Sequence, residues 1–242
     1  MNWMRSWFLL LFIAMPAFGQ LQVEIDEGGE YWQAVIEKNN SLKVLQQAVV
    51  SEFHLERKVV VRFGSEDGPL YDPESHTIEM PWTFFDDIRQ LMLVNQYVAA
   101  EEINIYVMDV IVHTLLHELG HALIEDLQLP VTGREEDAVD TLATLLLIDW
   151  FEEGHEMALS AADLFAMESE QRGELAESDF WGEHSLDEQR YFSGLCLIYG
   201  SDPERHTDLL SEQQREEQGE YCELEYQRQH QAWQQLLAPW LR

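Results

Sequence analysis

Positive charge is scarce in this chain. Fourteen lysines and arginines stand against 46 aspartates and glutamates in 242 residues, a formal net charge of −32. A nucleic-acid reader needs a basic stripe to neutralise phosphates, and none is present, so no DNA or RNA partner is expected. Anionic membrane surfaces and acidic substrates are repelled for the same reason. Cysteine is scarcer still. Cys196 and Cys222 are the only two, and neither has a C-x-x-C partner, which speaks against a zinc ribbon or a dithiol redox motif. Beyond the N-terminus there is no run of 18 uncharged apolar residues, so no membrane insertion is expected once the leader described below is removed. Internal repeats and low-complexity linkers are missing too. With 46% hydrophobic residues the acidity is not that of a disordered chain. Residues 20–242 are expected to form one domain.

The N-terminus has its own composition. Arg5 supplies a short positive region, Trp7–Phe18 is an apolar stretch of 12 residues broken only by Pro16, and Ala17 and Gly19 put small residues where a signal peptidase cuts. Residues 1–19 therefore read as a secretory signal peptide, too short to span a bilayer, which takes about 20 residues. A secreted or periplasmic location is expected.

The stretch that carries chemistry is His113–Leu127, HTLLHELGHALIEDL. Within it His117-Glu118-Leu119-Gly120-His121 matches H-E-x-x-H. On a helix, residues four apart stack on one face, so His117 and His121 can offer two imidazole nitrogens to one metal ion. Glu118 is turned about 100° from His117, where it is placed to act on a water rather than to bind the ion. The surrounding residues, Ile105 to Leu123, are apolar nearly all round, which marks a buried helix. Two core histidines satisfied by carbonyls would be the plain alternative. A metal is the simpler partner for buried polar groups that would otherwise be expensive. His113, a turn earlier, is not expected to bind the same ion, because three stacked histidines on a straight helix cannot converge on one point, and Glu125 fails likewise.

The third ligand has to come from elsewhere. No histidine follows at the metzincin spacing, and the helix is stopped by Leu129-Pro130-Val131-Thr132-Gly133. A second helix then opens at Arg134-Glu135-Glu136-Asp137-Ala138-Val139-Asp140. Returning antiparallel, it brings Glu136 and Asp140, four apart on one face, against the histidines. Glu136 can complete a His₂Glu set with an open fourth position, as catalytic zinc requires, and Asp140 can accept the outer N–H of a ligand histidine. Fourteen residues separate His121 from Glu136, and Glu135 and Asp137 are alternatives to it within the same turn.

HELGHALIEDLQLPVTGREEDAVD, with HSLDEQRYFSGLCLIYGSDP further on, resembles a family of secreted bacterial metallopeptidase-like proteins known mainly as a domain of unknown function. Its broader class is the gluzincins, with H-E-x-x-H on one helix and E-x-x-x-D on the next. The resemblance covers most of the mature chain. It implies His117, His121 and Glu136 as Zn²⁺ ligands, Glu118 as general base and Asp140 as the carboxylate behind a ligand. His184, Tyr191 and Tyr199 lie in the matching segment. His184, at the start of a helix after a loop, is the first choice to steady the tetrahedral oxyanion.

The expected fold is α+β, mostly helical and zincin-like. A small sheet at about 58–81 comes from strands Lys58–Phe63 and His76–Met80, with Leu21–Asp26 as a third strand or a loose arm. Helices are expected over Glu30–Glu52 with a break at Asn39-Asn40, over Trp82–Val98, over the metal-site pair at about 103–150, and through a helical part at about 155–238. There Ser185–Tyr199 is expected to be helical and to stop at Gly200-Ser201-Asp202-Pro203, with Asp202 or Ser201 capping the next helix and Pro203 at its first position. In an exported chain Cys196 and Cys222 are expected to pair as a disulfide. The expected activity is zinc-dependent hydrolysis of peptide bonds in a peptide or protein substrate. The alternatives are a zinc hydrolase of other amide or ester bonds, and a binding or structural protein that keeps zinc as a staple.

Overall fold

The computed structural model describes residues 21–242; the leader expected at residues 1–19 lies outside them. The chain opens with strand β1 (Leu21–Ile25), helices α1 (Glu30–Lys38) and α2 (Ser41–Glu52), and strand β2 (Val59–Phe63). It continues through β3 (Leu70–Asp72) and β4 (Thr77–Met80). The helical part follows as α3 (Trp82–Val94), α4 (Ile103–Leu127), α5 (Glu135–Trp150), α6 (Gly154–Arg172), a short 3₁₀ turn (Glu177–Trp181), α7 (Asp187–Ser201) and α8 (Glu212–Leu237). The fold is α+β and mostly helical.

The strands form one sheet in the order β1-β2-β4-β3. β1 runs parallel to β2, and β2 parallel to β4, while β3 returns antiparallel to β4 as an edge strand. A parallel pair needs a crossover, and α1 and α2 supply the one between β1 and β2. The sheet is thus wider than 58–81 alone suggests, because Leu21–Ile25 joins it. β3 is a strand that the turn residues around Pro69 and Pro73 concealed.

Helix α4 is the axis of the molecule. Among the described residues it is the one helix long and apolar enough to cross a membrane, yet 89% of its apolar window is buried inside the fold. It packs against α3, α5, α6 and the sheet. Gln128, in the left-handed conformation (φ 48°), caps its C-terminus, and residues 129–134 turn the chain into α5. At Gly120 the absence of a side chain matters. A Cβ there would lie 2.8 Å from Val139 Cγ1, so the two helices approach more closely than any larger residue allows. That approach brings the acidic first turn of α5 within reach of the α4 histidines.

The buried core runs continuously from Leu21 to Leu237, with Phe63, Phe85 and Trp32 filling the sheet side and Trp233 and Leu237 closing the far end. Cys196 on α7 and Cys222 on α8 form a disulfide. Three boundaries differ from expectation. α3 ends at Val94 rather than Val98. α7 runs through Gly200 to Ser201. Pro203 does not open a helix: the chain makes turns there, and Ser211 caps α8 instead, its hydroxyl accepting from the Gln214 backbone N–H. Asp202 does accept from the Arg205 backbone N–H at 3.2 Å, but it caps only a turn, and the next helix starts at Glu212.

Candidate metal centre

His117 and His121 lie on the face of α4 that meets α5. Their Nε2 atoms are 3.3 Å apart. Glu136, in the first turn of α5, places Oε2 3.1 Å from His117 Nε2 and 3.4 Å from His121 Nε2. Four-coordinate zinc with bonds of about 2.0–2.1 Å sets its ligand atoms about 3.3 Å apart. The three observed separations match that spacing, and the donor set of two imidazoles and one carboxylate suits the same ion. Among the described residues, His117, His121 and Glu136 are the one group of three or more such side chains close enough to share a metal.

Each histidine is also held from behind. His117 Nδ1 lies 2.7 Å from Asp140 Oδ1, and His121 Nδ1 lies 2.8 Å from Glu135 Oε1. A carboxylate on the outer nitrogen fixes the ring's orientation and points Nε2 inward. Glu135 therefore serves the second histidine from outside, and Asp137 is exposed outside the cluster.

Asp140 is anchored in turn. Arg190 on α7 donates from Nε to Asp140 Oδ2 at 2.7 Å and from Nη2 to Oδ1 at 2.9 Å. The guanidinium lies 3.9 Å above the Phe165 ring of α6, so its plane is fixed on two sides. Arg190 had no motif to single it out. Its only trace in the sequence is its place in the segment HSLDEQRYFS.

The electrostatics follow from burial and these pairings. Burial works against a charged His117, but the carboxylates of Asp140 and Glu136 outweigh it and raise its pKa to about 9. Glu136 itself is held far below the usual carboxylate range by hydrogen bonds to His117, His121 and His184. Asp140 is buried, which favours its neutral form, yet His117 and Arg190 keep it ionised. Glu118 behaves oppositely. Burial raises its pKa, with His117 and His121 pulling the other way, and the Tyr71 backbone N–H on β3 donates to its carboxylate. Glu118 thus sits under the sheet edge beside the histidine pair.

His184 precedes α7 in the loop after the 3₁₀ turn rather than beginning the helix. Its Nε2 is 3.0 Å from Glu136 Oε2, and its ring stacks on His117 with centroids 5.8 Å apart. The loop is tied down by Arg134, whose Nη1 donates to the carbonyls of His184 at 3.0 Å and Gly182 at 3.4 Å. His113 is buried against Phe165, and burial lowers its pKa to about 4, so its ring is neutral. Tyr191 packs beside Phe192, and Tyr199 is buried with Leu210 and Cys222 between α7 and α8, away from the centre. A cavity of about 840 Å³ lies behind α5, with His113, Asp140, Arg190 and Trp233 among its walls.

A family model described as "putative metallopeptidase", a domain of unknown function, matches residues 24–237. The chain belongs to this family. The match spans β1 to the end of α8 and includes every residue of the centre, so the family's description implies a metal ion for the fold as a whole. No curated protein and no solved structure matches the chain.

Proposed function

We propose that the protein is a zinc-dependent peptidase in which Glu118 is the general base. The observation that carries this is the convergence of His117, His121 and Glu136 at the spacing of a tetrahedral zinc site, with a buried carboxylate, Glu118, beside them. His117, His121 and Glu136 would hold the ion. When bound, zinc supplies Lewis acidity, polarising a carbonyl and lowering the pKa of water toward about 7.

The remaining work belongs to the chain. Burial makes Glu118 a stronger base than an exposed glutamate, which suits it to take a proton from water at its carboxylate oxygen and hand it to the leaving amine nitrogen. The Tyr71 N–H holds that carboxylate in place. Asp140, clamped by Arg190, and Glu135 keep the two imidazoles pointed inward. β3, the sheet edge over α4, offers backbone groups with which an extended substrate can pair. His184 is positioned to donate from Nε2 to a developing oxyanion by exchanging its present partner, Glu136. A zinc staple would have no use for a buried carboxylate that is not a ligand, and Glu118 for that reason favours hydrolysis. The N-terminal leader supports export, and the continuous core supports reading residues 20–242 as one unit.

The test is Glu118→Gln. The variant should keep its fold and one zinc per chain while losing hydrolysis of a peptide library by about 10²–10⁴-fold. Wild-type turnover in Glu118→Gln removes Glu118 from the mechanism. Wild-type protein that binds zinc but cleaves nothing in the library favours the staple instead.

A further inference from the structure

The segment from Glu174 to His184 has no part in the core, yet it reaches the metal centre. It carries three large apolar side chains in the open: Leu175 is 42% exposed, Phe180 58% and Trp181 79%. Glu174, Glu177 and Glu183 are interleaved with them and are also exposed, while Asp179 caps its own turn by accepting from the Ala176 backbone N–H. Residues 173–189 contain no lysine or arginine. The flanking cations are engaged elsewhere, Arg172 with Asp187 and Glu188, and Arg190 with Asp140. Arg134 lies at the base of the loop, bound to its carbonyls.

The position of this surface follows from chain length. Three residues span at most about 11 Å, so Trp181 lies within that distance of His184, which itself touches Glu136. Exposed aromatic rings attract cations over their faces, and carboxylates beside them strengthen the attraction. Neither feature suits an acidic or purely polar chain, and the net charge of −32 repels the former at longer range.

We propose that the segment 174–183 is the substrate-recruiting surface of the centre, and that it selects extended polypeptide in which lysine or arginine alternates with bulky apolar residues. This rests on the peptidase reading given above and narrows its substrate class.

The experiment uses zinc-loaded Glu118→Gln protein and three fluorescently labelled peptides of equal length, read by anisotropy. One alternates lysine with leucine and phenylalanine, the second replaces lysine with glutamate, and the third keeps lysine but replaces the apolar residues with serine. The first should bind at least about tenfold tighter than either of the others at low salt, and the advantage over the glutamate peptide should shrink as salt screens it. Phe180→Ser with Trp181→Ser should weaken the first peptide about tenfold, at roughly two- to fivefold per ring. Glu174→Gln, Glu177→Gln and Glu183→Gln together should weaken the first peptide and reduce its salt dependence, the rest of the net charge of −32 supplying what remains. Equal binding of the three peptides, or a double aromatic variant that binds as its parent does, overturns the proposal. A parallel digest by wild-type protein separates the two readings. Cleavage of all three peptides at equal kcat/KM sinks the selectivity and leaves the peptidase. Selective binding without cleavage of any peptide keeps the surface and sinks the peptidase.

Discussion

Arg190 is the residue whose removal best tests how the centre is built. In Arg190→Met the stem is retained and the guanidinium lost. Asp140, 17% exposed at its side chain, then keeps only His117 as a charged partner. Breaking a buried ion pair by deleting one member costs about 3–5 kcal/mol, because the survivor stays uncompensated. His117 still holds one carboxylate oxygen, so the lower end, about 3 kcal/mol, is expected. For a domain of this size that is a fall of about 6–12 °C in Tm. The loosened Asp140 should also lower zinc affinity by about 10–100-fold, the usual effect of removing a ligand's outer partner. Urea denaturation of chelator-treated protein reads the first number, and competition against a zinc indicator reads the second. Arg190→Lys keeps the charge but cannot make both hydrogen bonds, so it should recover part of the stability and little of the zinc affinity. If Arg190→Met is within 1 kcal/mol of wild type and holds zinc within about twofold, the chain of support from α7 through Asp140 to His117 is wrong.

Three further outcomes are expected. Glu136→Ala should collapse zinc binding while Glu135→Ala lowers it only about 10–100-fold, since the first supplies a converging oxygen and the second only the outer partner of His121; isothermal titration of both variants separates the roles. Asp109, buried on α4 beside Ser160, has its pKa raised by burial to about 6, so its contribution to stability is complete below the ordinary value near 4 and is lost as pH rises through about 6. Asp109→Asn avoids that loss and should gain on wild type by up to about 3 kcal/mol between pH 4 and 7.5, and a difference that does not change with pH in denaturation curves would show that Asp109 is not the titrating group. Opening the Cys196–Cys222 bridge, which closes a loop of sequence separation 26, should cost about 3–4 kcal/mol without releasing zinc at once, as followed by Tm and bound metal before and after reduction.

What was legible in the sequence was whatever a period or a breaker encodes. The all-round apolarity of α4 announced a buried helix, Pro130 and Gly133 announced the turn, and the four-residue steps His117–His121 and Glu136–Asp140 announced two faces that could meet. Strand β3 was not legible, since three residues between Pro69 and Pro73 carry too little alternation to stand out from a turn. Helix ends were misplaced where a glycine sits inside a helix, as at Gly200, or where a proline opens only a turn, as at Pro203. Arg190 was hidden for a different reason. Its role depends on a contact between residues 50 apart, and no local pattern distinguishes an arginine that reaches a buried carboxylate from one that faces solvent. Gly120 was hidden inside the motif itself, where its position is formally free, although the Val139 side chain leaves room for nothing larger.

The register between α4 and α5 explains why so short a connection suffices and why the centre stops where it does. α4 continues six residues beyond His121, a rise of about 9 Å, before the chain turns back. An antiparallel partner must recover that distance, and the residues from Gln128 to Arg134 can reach more than twice as far. α5 therefore begins level with the centre, and Glu136 falls in its first turn. From there each step of four back along α4 is answered by a step of four forward along α5. His121 meets Glu136, His117 meets Asp140, and the next rung sets His113 and Thr144 on the wall of the same cavity. The first two rungs answer an imidazole with a carboxylate. The third answers it with a hydroxyl that is already donating to the Asp140 carbonyl, in surroundings that keep His113 uncharged. Three histidines at equal spacing on one helix thus acquire different chemistry from what α5 places opposite them, and His113 is left as a neutral core residue.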